Sequence, residues 1–328
     1  MKIRSLMAAA IMGISLIAAP AHASTQLSVG VAYDIGGRGD KSFNDASAAG
    51  LDKAQKQFDF NLEAVVTDGT SSDREKRIRS LITKNCNPII AIGSGYASTL
   101  QALAVEFPST QFAIINDASV AALNVTSVVF ANTQGAYLAG FSAAQVSKSG
   151  KVAMVANPDQ ADIYKDGFSA GVFASKKKVI PIVKYVSGSY SVATNQVLDA
   201  GADVVFVATQ GSDSEVFKAI VARNAKKKGS NIGLINIEPD QYITVTSATK
   251  KFLIASVVKR VDKAIFDVIA LSLAKKQYLD ILDADAGIYG RRYGITGGGI
   301  EFTIRSKELA ALSNSINVAA AIAEKIPA

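Results

Sequence analysis

Short, continuously apolar runs rich in β-branched residues recur along the chain, at 27–33, 62–66, 88–92, 112–115, 151–156, 183–186, 203–208 and 232–237. Longer stretches with mixed faces separate them, such as 43–58, where Leu51, Ala54 and Phe58 fall on one side of a helix. A strand that is apolar throughout is covered on both faces, and such strands separated by helices make parallel sheets. The pattern predicts an α/β protein. Two βα series are visible, one ending near Phe130 and one running from about Lys151 to Ile237, followed by a strand-like run at 252–258 and a helix. No proline-rich or low-complexity tether divides them. The expected arrangement is two lobes joined by short crossovers, with ligand held beyond the C-terminal ends of the strands.

The first residues change this picture. Lys2 and Arg4 precede an uncharged apolar run, 6–19, and then Ala21-His22-Ala23, the small-x-small pattern of a signal peptidase site. The run is shorter than the roughly 20 residues of a membrane helix, so an export leader cleaved after Ala23 is expected. Its removal takes His22, the sole histidine, and leaves Cys86 as the only cysteine. Histidine-dependent nucleophiles, the usual histidine-containing zinc sites and disulfides are thereby set aside. Cys86, just before an apolar strand, reads as a small buried group without a role.

The net charge of +7 falls to +5 without Lys2 and Arg4. Its basic clusters (Lys176–Lys178, Lys226–Lys228, Lys250–Lys251, Lys275–Lys276) sit mostly where helices are expected to end, and no aromatics are interleaved with them. That pattern suits helix dipoles and solvent rather than a nucleic acid.

The candidate chemistry lies in residues 32–50, AYDIGGRGDKSFNDASAAG. Gly36-Gly37-Arg38-Gly39 lacks the third glycine of a dinucleotide fingerprint and any Walker lysine, and Asp34 and Asp40 would repel phosphate. Ser42 and Asn44 flank Phe43 and read as helix caps. Phe43 is then either a core residue or an aromatic face for a flat ligand whose polar edges meet Asn and Asp.

Tyr33-Asp34-Ile35-Gly36-Gly37 with Asp40-Lys41-Ser42-Phe43-Asn44 resembles the signature of the basic membrane protein family of solute-binding proteins, which includes purine-nucleoside-binding lipoproteins of ABC importers. The similarity continues in order through Phe112–Ile115, Tyr137–Gly140, Gly150–Val152, Gly167-Phe168 with Gly171, Gly201–Phe206, Asp240-Gln241 and Ser256–Arg260. It implies a type I periplasmic binding protein, two Rossmann-like lobes with parallel sheets joined by a multi-strand hinge and closing on one small molecule. The implied lobes are 24–130 with about 257–290, and 131–256 with about 291–328.

The resemblance also implies a site. Phe43 would stack on a base, Asn44 and Asp34 would bind its edge beside Ser42, and Asn116 or Asp117 would join from the end of the strand at 112–115. A late carboxylate and lysine would hold a ribose; these positions are Glu238, where the family has aspartate, and Lys259. Tyr164 is the choice for a second aromatic and Gly211 for a close backbone approach, with ordinary packing or turning as the alternatives. No catalytic residue, metal or cofactor is implied. The expected partners are a nucleoside-like solute and ABC permease subunits in the inner membrane, with the protein itself monomeric.

Family members often carry a cysteine directly after the leader. Here Ser24 follows Ala23, so a periplasmic, unlipidated protein is expected, a retained leader being the alternative. Two other functions stay open. A carboxylate- and metal-dependent nucleoside hydrolase would need acids gathered around one ion, and Asp34, Asp40 and Asp45 are too widely spaced for an obvious site. A ligand sensor facing a receptor would use the same lobes.

Overall fold

The computed structural model describes residues 26–158, 161–209, 213–226 and 229–327. The expected leader and Gly211 lie outside them. The described strands are β1 (Ser28–Tyr33), β2 (Asn61–Val66), β3 (Ile89–Ile92), β4 (Phe112–Ile115), β5 (Val125–Phe130), β6 (Lys151–Ala156), β7 (Ile180–Tyr185), β8 (Val204–Ala208), β9 (Gly233–Glu238), β10 (Leu253–Lys259), β11 (Asp280–Asp283), β12 (Ile288–Tyr293) and β13 (Ile300–Ile304). The helices are α1 (Phe43–Gln57), α2 (Ser71–Thr83), α3 (Ala97–Glu106), α4 (Asn132–Val146), α5 (Ala161–Ala174), α6 (Tyr190–Asp199), α7 (Asp213–Lys226), α8 (Ser247–Lys250), α9 (Val261–Leu273), α10 (Lys307–Ala310) and α11 (Ser313–Ala323). None is long and apolar enough to cross a membrane.

Two sheets result, ordered β11-β12-β5-β4-β3-β1-β2 and β13-β10-β9-β8-β6-β7. Their central strands β3, β4 and β8 are buried at every position, as continuous apolar runs require. The sheets are mixed rather than wholly parallel, because β11 runs antiparallel to β12 and β13 antiparallel to β10.

The chain leaves the first sheet after Phe130, returns after Lys259 and leaves again after Tyr293. The expected breaks at about 257 and 290 therefore cut β10 and β12. The crossing segments bond to one another: the Ala131 N–H donates to Tyr293 O at 2.8 Å, and the Gln134 side-chain oxygen accepts from the Ile295 N–H at 3.0 Å. The Arg260 N–H donates to Gly299 O at 3.0 Å. Such a hinge is a few short segments whose φ and ψ absorb a lobe rotation.

Helix α4 is buried on nearly all sides, the mark of a helix enclosed by its domain. Its closest neighbour is α5, and glycine makes the approach possible. A Cβ on Gly140 would lie 2.0 Å from Phe168 O, and one on Gly171 2.0 Å from Tyr137 O. Helix α9 returns to the first lobe and packs on α1.

Candidate functional site

Three strand ends of the second lobe converge on a group of buried polar side chains. Glu238 closes β9 and Lys259 closes β10, and each is about 1% exposed. Register aligns Glu238 with Val258 and Asn236 with both Ser256 and Val207, so the ends of β8, β9 and β10 lie side by side at the usual strand spacing of about 4.8 Å. Asp213, the first residue of α7, is 2% exposed and accepts from the Thr209 hydroxyl just past β8.

Most of these acceptors are unpaired. Both carboxylate oxygens of Glu238, Oδ2 of Asp213 and Oδ1 of Asn236 have no hydrogen-bond partner among the described residues. Lys259 makes no ion pair with Glu238 or Asp213; its Nζ donates to the Tyr164 hydroxyl at 3.0 Å and lies 5.5 Å from the centre of the Phe43 ring. Tyr164 is buried, edge-on to Phe206.

Burial raises the Glu238 pKa to about 8; Lys259 opposes the shift, and Asp213 and Asp40 add to it. Burial likewise raises the Asp213 pKa, against the pull of Thr209, Gln241 and Lys259. For Lys259, burial disfavours the ammonium, but Tyr164, Glu238 and Asp213 outweigh it, and the pKa lies above the ordinary lysine value.

The first lobe contributes the turn after β1. Ser42 makes no side-chain cap, contrary to expectation. Asp40 caps α1 instead: its carboxylate accepts from the N–H groups of Ser42 (2.8 Å), Asn44 (2.9 Å) and Asp45 (3.0 Å). A short acid two to five residues upstream reaches orphan N–H donors that the Ser42 side chain leaves free. Asp45 holds the turn in return, accepting from Gly39 and Lys41. Phe43 is thereby fixed at the mouth of the lobe, half-buried against the core and facing Lys259 of the other lobe.

The remaining expected residues have different surroundings. Asn44 is buried, with its amide oxygen on Asp34 N–H (3.0 Å) and its amide nitrogen on the carbonyls of Asp34 and Ile35 (both 3.3 Å), so it clamps the end of β1. Asp34 pairs with Arg74 at 2.8 Å. Asn116 turns the chain after β4 at φ 66°, a left-handed conformation that asparagine tolerates. Asp117 accepts from Ser119 and, with Asn116, lines a cavity of about 350 Å³ between the lobes that also reaches Asn132, Asp162 and Arg292. A larger cavity, about 700 Å³, opens at the foot of the first sheet around Leu27, Pro88 and Phe112, at the opposite strand ends from Glu238 and Lys259.

Phe43, Tyr164, Glu238 and Lys259 are thus brought together, whereas Asp34 and Asn44 serve the turn itself. Asp213 and Asn236, buried beside them, were not among the residues expected from the sequence. An acid after a predicted strand was the available signal for Asp213; for Asn236 it was a polar residue inside an apolar run.

Over residues 27–323 the chain matches the family model described as ABC transporter substrate-binding protein PnrA-like. The chain belongs to this family. A curated relative, the ABC transporter nucleoside-binding protein BmpA of Lactococcus lactis subsp. cremoris, is 26% identical over 262 residues, covering 74% of each chain. Among solved structures, an ABC transporter solute-binding protein of Aeropyrum pernix K1 superposes with a TM-score of 0.66 at 21% identity, covering 91% of this chain and 85% of that one. The transcriptional activator of the comK gene from Bacillus halodurans superposes at 0.71 with 20% identity, covering 90% and 97%. The fold is that of type I periplasmic solute-binding proteins. A substrate-binding protein of this kind works outside the cytoplasm, takes a small molecule and presents it to a permease, and its relatives are solute-binding proteins rather than enzymes.

Proposed function

We propose that the protein is a periplasmic, monomeric receptor for a nucleoside, a purine one in the first instance, which it delivers to an ABC permease. The observation that carries this reading is the Glu238 carboxyl group, buried with neither oxygen partnered among the described residues, beside Lys259, whose ammonium lies 5.5 Å from the centre of the Phe43 ring of the other lobe. A buried carboxylate without partners is costly, so the ligand-free Glu238 keeps its proton up to about pH 8; a ligand supplying two adjacent donors stabilises the carboxylate and removes that cost. Vicinal ribose hydroxyls have this spacing. Stacking of a base on one aromatic ring adds about 1–3 kcal/mol, and Phe43, across from Lys259, is the aromatic face available to it. The Lactococcus relative, named as a nucleoside-binding protein, agrees with this class of ligand.

The test is retention from a mixture. The native protein is incubated with equimolar nucleosides, sugars and amino acids, desalted, and examined by native mass spectrometry. One retained nucleoside per chain is expected. Retention of a free sugar or an amino acid, or of nothing, would overturn the assignment.

A further inference from the structure

The nucleoside reading gives the second lobe one ligand-binding carboxylate, yet two lie at the same strand ends. Asp213 is as deeply buried as Glu238 and has one oxygen, Oδ2, without a partner among the described residues. It makes no direct ion pair with Lys259, whose Nζ donates to the Tyr164 hydroxyl, although the two charges favour each other through space. Thr209 already satisfies Oδ1 and fixes the rotamer. Asn236, wholly buried on the neighbouring strand, has a further unpaired acceptor, Oδ1, while its amide nitrogen is held by Gln241 at 3.3 Å. Along β9, Asn236 and Glu238 are two residues apart and share a face of the sheet, the face on which α7 packs. Four unpaired acceptor atoms therefore stand together where a diol alone would engage two.

We infer that Asp213 is a second ligand-binding carboxylate, which accepts a hydrogen bond from a sugar hydroxyl that Glu238 does not hold and so makes the site selective for ligands with a complete ribose. The inference rests on the nucleoside reading and adds to it a residue and a selectivity. A ribonucleoside carries three hydroxyl donors, matched to the paired oxygens of Glu238 and the single oxygen of Asp213. A site built to accept from a hydroxyl discriminates strongly against the analogue that lacks it, because its own buried acceptor is then left unpaired.

The experiment is calorimetric titration of wild type, Asp213→Asn and Asp213→Ser with adenosine and its 2′-, 3′- and 5′-deoxy analogues, with melting temperatures recorded for each protein. Wild type is expected to bind adenosine and to lose about 100-fold or more against each deoxy analogue. In Asp213→Asn, adenosine binds about 10- to 100-fold more weakly, and the penalty for one deoxy analogue, and only one, falls to a few-fold. A merely structural role for Asp213 would weaken all four ligands alike and leave every ratio unchanged, which overturns the inference. Binding by Asp213→Asn within twofold of wild type overturns it as well. Failure of wild type to bind any of the four instead removes the nucleoside reading on which it stands. Asp213→Ser, which keeps a short polar residue at the helix start, is expected to repeat the result and separates it from a folding defect.

Discussion

At the level of single residues, the site depends on groups whose ordinary roles conceal them. Asp40 reads in the sequence as one more acid in a glycine-rich turn, yet it satisfies three backbone donors and positions Phe43. Its replacement by Ala should cost about 1–2 kcal/mol in a denaturant melt and weaken ligand binding as well, whereas Ser42→Ala should leave stability within about 0.5 kcal/mol. Glu238 was legible as a motif position and Lys259 as its companion. Asp213 was not, because an acid opening a helix is so common that only its burial and unpaired oxygen distinguish it. The Glu238 carboxyl also carries a pH prediction. Its pKa rises from 4.5 in the unfolded chain to about 8 in the fold, through burial and through Asp213 and Asp40, against Lys259. Between those values the folded state holds a proton that the unfolded state has released. The contribution to stability is full below pH 4.5, declines as pH rises and is lost above about 8. Thermal melts of the ligand-free protein should show this decline between pH 5 and 8, and Glu238→Gln should flatten it; an unchanged slope in the variant would show that other groups are responsible.

At the level of elements, what the sequence revealed and what it hid follow from burial. The central strands are covered on both faces and read as unbroken apolar runs. The edge strands β11 and β13 are half-exposed and carry aspartate and glutamate, so their pattern merges with that of loops, whereas the edge strand β7 was read in part, over 183–186. Strand β5 is buried but is interrupted by Thr126 and Ser127, which breaks the run. Part of the family resemblance has a structural cause. Gly140 and Gly171 allow α4 and α5 to touch backbone to backbone, and neither lies among the polar groups at the strand ends. Gly171→Ala should destabilise the protein by about 1–3 kcal/mol through overpacking, read from a denaturant midpoint, while changing the affinity of the folded fraction little. The hinge makes a different prediction. Gln134 ties the first crossing segment to the third through Ile295, and Gln134→Ala should take the partner from a part-buried N–H at about 1 kcal/mol, read from a denaturant midpoint.

At the level of the whole molecule, the expected lobes, cleft and family were legible because a long, ordered set of motifs spans the chain. The antiparallel strands at the sheet edges and the exact crossing points were not, since they depend on pairings between residues far apart in sequence. In the proposed reading the acceptors that set ligand chemistry belong to the second lobe and the aromatic face to the first, which makes binding and closure a single event. Calorimetric titration of the wild-type protein and of Phe43→Ala with adenosine and inosine tests this most directly. The account predicts one saturable site in the wild type and a loss of about 10-fold or more in affinity in the variant, the stacking contribution of one aromatic ring. No heat of binding with either nucleoside, or equal affinity with and without the Phe43 ring, would contradict it.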